Sequence, residues 1–538
     1  MAMGDLRRRE RPDFTRMRPL VVFHSHRYGP IPTEAWLTQV VTSKTIDGRP
    51  GQWSVVLRRD IATGERRDWP ELVIDDDWVE IGVSLGSRQW IAMVGLVDSV
   101  SWSIQSTDRG GADIAYTIAG RDMTKPLVET QLLMMPHVSY DPALAFGIFY
   151  NAINALSQLA PDAGPGEVVR NLYDFVMRGG EYRNEARWWA VPDSLPVRVT
   201  GAPTRRRQFS DIVATDKIDL DTEGQFAAYG SLLSAPGGGG QLWDLLVSHS
   251  NAVLNELYID LAPLGDADPV SALTSDPGRD FEVAPAIILR ERPFPISTGL
   301  AQATSRRQRW STLPRTTIGA NDLAEMTLAR GQERFNYFLV DAGSGMNQTS
   351  AVLAMAALAA QNGDVGTAAL LEGVPAIDRA AVEVHGLRRL ETTSNFINAS
   401  PDGVDVYVGW TKLLRDWHCL AHEFWAGTVK TGKVLPGVRV GERLDLDLGD
   451  RVLQFYVESV THALSVGQQG GVTSSTTIEV TRGHADPQRA VDAYLSRFTG
   501  VGQSTLGRVP ASEQVLRTIR EAVAPITAPL PGFIPAEK

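Results

Sequence analysis

Two stretches far apart in the chain carry nearly the same pattern of apolar and polar positions. VDSVSWSI covers 97–104 and VESVTHAL covers 457–464. Each places an apolar residue first, fourth and eighth, with an acid second and a Ser third. Before the first copy, Val79, Ile81 and Val83 alternate with polar or small residues; before the second, Leu444, Leu446 and Leu448 alternate with Arg443, Asp445 and Asp447. A period of two sends successive side chains to opposite faces, so both segments predict half-buried strands. After each copy comes a glycine turn, Gly110-Gly111 or Gly470-Gly471. Another alternating run follows: Ile114, Tyr116 and Ile118, then Gly120-Arg121; or Thr476, Ile478 and Val480, then Arg482-Gly483. The repeated order reads as an internal duplication of a small antiparallel unit. The alternative is two unrelated meanders built on a common hairpin grammar.

Residues from about 20 to 122 read as consecutive short strands, one carrying Trp53, Val55 and Leu57 on a single face. In ERFNYFLVDA, Phe335, Tyr337 and Leu339 alternate, which makes this segment the expected duplicate of the Trp53 strand. Helical spacing of apolar residues marks 142–159 and 166–177. A further amphipathic helix is expected through Leu242, Leu245, Leu246, Val253, Leu254 and Leu257, running into the extended, Pro-punctuated PAIILRERPFP. Ala-rich helical sequence fills 349 to about 425. Near the end, Val515, Leu516, Ile519 and Val523 form a short apolar stripe before a Pro-rich tail. The domains expected are 1–125, 126–300, 301–345 plus 430–490, 346–429 and 491–538.

Length and charge narrow the reading. A chain of 538 residues exceeds what one hydrophobic core usually supports, so several domains are expected. A formal net charge of -11 argues against a protein that grips nucleic acid, and suits one that lets a polyanion pass. A single cysteine, Cys419, leaves no intrachain disulfide. The N-terminal stretch is basic but lacks the apolar core of a secretory signal. The longest apolar runs are too short or too interrupted to span a bilayer, so no stable membrane insertion is expected.

Candidate chemistry is thin. The glycine run Gly237–Gly240 lacks the Lys-Ser/Thr that a phosphate loop needs, and reads as a flexible turn. His418 and His422 stand four apart, which on a helix puts them on one face at metal-ligand spacing, with Glu423 beside them. The zinc-protease pattern is absent, and a third ligand would have to come from His385, His462 or a distant carboxylate. Trp417, Phe424 and Trp425 favour a packed aromatic helix with the histidines as polar edges. His24 and His26 read as an exposed pair at strand spacing. Asp75–Asp77 could hold a calcium ion but lack the Gly and distal Glu of a calcium loop, and read as a solvated turn. A lysozyme-like carboxylate pair stays open. No catalytic, cofactor-binding or metal-binding residue is therefore assigned, and no enzyme is expected.

With both strand units laid out, the chain resembles baseplate hub proteins of contractile phage tails, the late control protein D type, whose fold recurs in the base of type VI secretion spike proteins. The resemblance rests on WIAMVGLVDSVSWSI, IAGRDM, GGGGQLWDLLVSHSNAVLNELYID, PAIILRERPFP, RFNYFLV, PGVRVGERLDL, QFYVESVTHALSV and TSSTTIEVTRG, in that order. It implies a β-rich α+β fold with two duplicated tube-type antiparallel β-barrels and helical or mixed insertions. It further implies a homotrimer forming a pseudo-sixfold ring, with a tail tube or distal ring protein above, a trimeric central spike below, and neighbouring baseplate proteins. DNA would cross the lumen without specific binding, in a virion part assembled in host cytoplasm. Acids at Asp75–Asp77, Asp445, Asp447 and Asp450 could line such a lumen; Arg205–Arg207 or Arg306, Arg307 and Arg309 there would contradict a passive conduit. The competing readings are a metal-dependent cell-wall-degrading tail enzyme and the spike base of a contractile secretion or injection system.

Overall fold

A computed structural model describes residues 17–58, 66–85, 88–106, 112–133, 163–178, 189–195, 207–220, 239–263, 283–295, 310, 312–330, 334–342, 376–394, 401–467 and 471–485. The expected helix at 142–159, most of the Arg-rich stretch and the C-terminal segment from 486 lie outside them.

The first strand unit contains β1 (Arg18–Ser25), β2 (Gly29–Pro32), β3 (Leu37–Thr45), β4 (Gln52–Leu57), β5 (Trp78–Leu85), β6 (Arg88–Ser106) and β7 (Ala112–Asp122). Between the units lie two small antiparallel pairs, β8 (Gln131–Leu133) with β9 (Gly239–Gln241), and β10 (Asn255–Pro263) with β11 (Val283–Glu291). Next come β12 (Arg315–Gly319) and β13 (Leu323–Arg330). A separate three-stranded sheet follows, from β14 (Tyr337–Ala342), β15 (Ala376–Ile377) and β16 (Arg389–Ser394). The chain then adds β17 (Trp425–Thr431), β18 (Arg443–Asp447), β19 (Val452–Val466) and β20 (Val472–His484).

Strand order shows the duplication. The first unit runs β3-β4-β7-β6-β5-β1 and the second β13-β17-β20-β19-β18-β12. Taken in chain order, each of these six strands has its counterpart in the other unit, and β2 is an addition of the first. Register agrees to the residue: Val97 pairs with Gly120 and Val100 with Ile118, while Val457 pairs with Val480 and Val460 with Ile478. Both hairpins carry a β-bulge at the same point, between Val97 and Ser99 and between Val457 and Ser459. The acid in second place of the repeated motif is thus the bulged residue, which a bulge re-aims out of the ladder. Asp98 receives a two-pronged ion pair from Arg121 at 2.7 and 2.8 Å. Glu458 receives Thr481 Oγ1 at 2.8 Å and faces Arg482 at 3.5 Å. The units differ at one rim, where β1 runs antiparallel to β5 but β12 runs parallel to β18.

Closed barrels were expected. Among the described residues the strands instead form one 13-stranded sheet whose order runs from β13 to β2 without closing. Each unit nevertheless curls around its own core. Val21, Val40, Val55, Ile81, Met93, Val97 and Ile118 meet in the first. Ile318, Val429, Leu444, Val457, Ile478 and Val480 meet in the second. The opposite face of β5 and β6 sends Trp78, Val94 and Leu96 into a third core, built with the helices Pro165–Tyr173, Leu242–Ser248 and Pro401–His418 and with β10 and β11. Strand alternation explains the split, since neighbouring residues serve different cores.

Several sequence expectations need correction. The counterpart of the Trp53 strand is β17 and not the segment with Phe335, Tyr337 and Leu339, because β14 pairs with β15 and β16 outside the main sheet. The helix from Leu242 stops at Ser248, and Leu257 belongs to β10. PAIILRERPFP is extended as expected, supplying most of β11. β18 is not half-buried: Leu444 and Leu446 fill one core while Arg443 and Asp445 pair at 3.0 Å, buried on the other face.

The poor sequence match between β4 and β17 has a packing cause. Trp53 faces Gly120 in the first unit, and Gly427 faces Val480 in the second. Large and small have exchanged places across the same pair of strands. A Cβ on Gly120 would meet the Leu96 carbonyl oxygen and lie 2.6 Å from the Trp53 ring. Gly120→Ala should therefore lower the stability of the first unit by about 1–3 kcal/mol, the usual range for overpacking. An unchanged urea midpoint would contradict this packing.

Candidate functional site

The two units join where β3 of the first pairs antiparallel with β19 of the second, from Ser459 opposite Thr45 to Ser465 opposite Gln39. Ile46 adds a backbone bond to the Glu458 carbonyl at 3.0 Å. On one face Ser43 and Thr461 share a hydroxyl hydrogen bond of 3.1 Å. On the other, Leu464 packs into the first unit's core with Val40. A small cleft at this junction is lined by Thr42, Lys44, Asp122, Asp260, Arg439 and His462. Its charges are paired: Lys44 binds Asp122, and Arg439 lies 3.6 Å from Asp260. Such a cleft holds strands together and offers no nucleophile–base pair.

His462 sits inside this junction with Nδ1 3.0 Å from Thr476 Oγ1. Burial, helped by the nearby Arg439 charge, pushes its imidazole down to about 4. Next to the junction, Tyr456 places its hydroxyl 2.6 Å from both carboxylate oxygens of Glu256, which also takes Arg290 Nε at 2.6 Å. This buried network fastens the β10–β11 hairpin to the second unit. Nothing in the sequence brings Glu256, Arg290 and Tyr456 together, since they lie far apart along the chain.

The residues singled out as candidate chemistry occupy structural positions. The helix Pro401–His418 ends at His418, and His422 lies in the following 3-10 turn Ala421–Glu423, so the two do not share a helical face. His418 packs against Phe294 and Phe335, and burial first, then Arg482 and Arg292, lowers its imidazole to about 3. His422 Nε2 lies 3.5 Å from Glu423. His385 ends another helix, Arg379–His385, and His462 belongs to β19. Among the described residues, no group of three or more His, Cys, Asp or Glu could hold a metal ion.

His24 is buried and not exposed, with Nδ1 3.1 Å from Ser194 Oγ; His26 is exposed. At Asp75–Asp77 the place of a cation is taken by the chain itself. Lys125 Nζ reaches Asp75 at 2.8 Å, Asp76 at 2.7 Å and Asp98 at 3.0 Å. Burial would lower this ammonium's pKa, but the three carboxylates hold it above the ordinary lysine value. Burial raises the Asp77 carboxyl. Of the glycine run, Gly239 and Gly240 belong to β9. Arg207 is buried and donates to the Leu195 carbonyl at 2.8 Å, while Arg306, Arg307 and Arg309 lie outside the described residues. Asp445 is also buried, whereas Asp447 and Asp450 are exposed.

No protein-family model and no curated protein matches the chain. Among solved structures, a tail protein from Neisseria meningitidis MC58 is similar at 11% identity and a TM-score of 0.42, covering 86% of this chain and 96% of that one. A 43 kDa tail protein of prophage MuSo2 from Shewanella oneidensis gives 12% identity and a TM-score of 0.39, with the same coverages. A PdpA–VgrG complex gives 9% identity and a TM-score of 0.37, covering 86% of this chain and 64% of that one. At such identities and scores these likenesses decide neither fold nor role.

The depressed His462 pKa has a definite sign. The folded chain keeps this imidazole neutral, while the unfolded chain takes up the proton near its ordinary value of 6.5. Its contribution is therefore fully present above about pH 6.5 and is lost as pH falls toward 4, on the order of 3 kcal/mol over the whole interval. Between pH 7 and pH 4.5 the urea midpoint of the wild type should fall further than that of His462→Gln. Equal falls would contradict the assignment.

Proposed function

We propose that the chain is a structural hub of a contractile-tail baseplate, working as a homotrimer and not as an enzyme. The observation that carries this reading is the same strand unit occurring twice in one chain, in matched register and with matched bulges. A trimer that must meet a sixfold partner needs two equivalent surfaces per chain, and two units supply six per trimer. One face would continue a hexameric tail tube or distal tail ring, and the other would receive a separate trimeric spike. Neighbouring baseplate proteins would surround the ring, and DNA would cross its lumen without being gripped.

Charge supports the conduit. A net -11 per chain supplies a repelling field for phosphates, and Arg207 spends its guanidinium on carbonyls of its own chain. Among the described residues no helix is long and apolar enough to cross a membrane. The domain division given above is proposed with two changes: 425–431 joins the second unit, and 337–342 leaves it for the insertion that carries β15 and β16. Assembly in host cytoplasm and residence in the virion follow from the same reading.

The purified chain should behave as a particle of three times its 58.7 kDa in mass photometry or light scattering. A monomer or an even-numbered oligomer at micromolar concentration would contradict the hub.

A further inference from the structure

One strand edge in each unit is used inside the chain, and its counterpart in the other unit is left open. β3 docks on the distal part of β19, from Ser459 to Ser465. The counterpart of β3 is β13, which pairs only with β17 among the described strands. The counterpart of that part of β19 is the distal part of β6, from Ser99 to Gln105, which among the described strands pairs only with β7 because β5 covers β6 no further than Leu96. The chain thus ends in two complementary halves of a junction it already makes once.

Side-chain exposure follows the same logic. Leu464 and Val40, opposite each other in the internal junction, are 4% and 0% exposed. Register places Ile104 where Leu464 stands, and Met326 where Val40 stands, since Met326 pairs with Val429 as Val40 pairs with Val55. Ile104 is 56% and Met326 39% exposed. Trp102, in the place of the buried His462, is 60% exposed. Three large apolar groups on two unpaired edges are a liability for a lone chain, because open edges template pairing with another chain.

We propose that copies of this chain join edge to edge, β13 of one copy adding to the distal part of β6 of the next. The register copies the internal junction: Val100 opposite Arg330, Ser101 opposite Ala329, Trp102 opposite Leu328, Ser103 opposite Thr327 and Ile104 opposite Met326. Ile104 of one copy then covers the rim of the next copy's second core beside Met326, as Leu464 covers the first core beside Val40. The contact is heterologous, so it makes a ring when the rotation per copy closes and a filament when it does not. Backbone hydrogen bonds supply the addition, and the apolar trio fixes its register. The inference deepens the trimer reading by naming its surface, and it rests on that reading for the number three alone.

Disulfide trapping tests it. Ser101 and Ala329 take the places of Thr461 and Ser43, whose hydroxyls lie 3.1 Å apart, within reach of a disulfide after substitution. Full-length Ser101→Cys and Ala329→Cys chains are prepared separately, mixed and oxidised; the native Cys419 is buried and does not compete. A linked pair in the mixture, with neither variant linking alone, is expected. In the double variant, covalent bands should end at three chains. A trimeric mass without that cross-link overturns the edge pairing and leaves the trimer standing. A cross-link that stops at two chains or ladders indefinitely keeps the edge pairing and overturns the trimer. Linking within single chains overturns the inference. As a second measurement, Ile104→Arg should retain the wild-type far-UV spectrum while weakening association at least a hundredfold; undiminished association also overturns it.

Discussion

The pairing of β3 with β19 is the contact on which the rest of the molecule depends. Without it the chain is two curled strand units joined by long insertions. With it, they become one continuous sheet, and the ladder fixes their relative register residue by residue. Backbone bonds alone would tolerate slippage, because hydrogen-bonding groups repeat along every strand. The register is held by what sits on the two faces: the Ser43–Thr461 hydroxyl pair on one side, and Val40, Leu464, Thr42 and His462 on the other. A slip of one residue would exchange those faces and place apolar groups in water.

Duplication explains why the junction leaves something over. A unit that carries one docking strand and one receiving edge uses each once when two units meet. The pair as a whole still ends in one of each. Exposure of Trp102, Ile104 and Met326, against burial of their counterparts, follows from this arithmetic of edges and needs no special property of the residues. The bulged acids serve the same geometry. Asp98 and Glu458 leave the ladder at equivalent points and bind arginines; past the bulge β19 exchanges β18 for β3, while β6 loses β5 and keeps only β7 among the described strands.

Much of this was legible in the sequence, and the failures have physical causes. The hairpins around 97–104 and 457–464 were readable because period-two alternation and an acid–serine pair survive in both copies. β17 was missed because Trp53–Gly120 and Gly427–Val480 put the larger member of the pair on opposite strands, which erases similarity within either strand. β14 was misplaced because alternation identifies a strand without saying which sheet it joins. The spacing of His418 and His422 suggested a shared face, but the helix ends at His418 with no Gly or Pro next to it to mark the end. Asp75–Asp77 looked open to a cation until Lys125, fifty residues away from the first of them, proved to fill the place. Long-range partners of this kind leave no local trace.

The most direct test is a strand-resolving cryo-EM map of the full-length assembled chain. The account predicts six curled strand units round one ring, every junction made by a β3-type strand on a β6-type edge. Internal and intermolecular junctions should alternate and superimpose. A ring whose copies meet through the helical insertions, with the distal part of β6 and β13 still facing solvent, would contradict it.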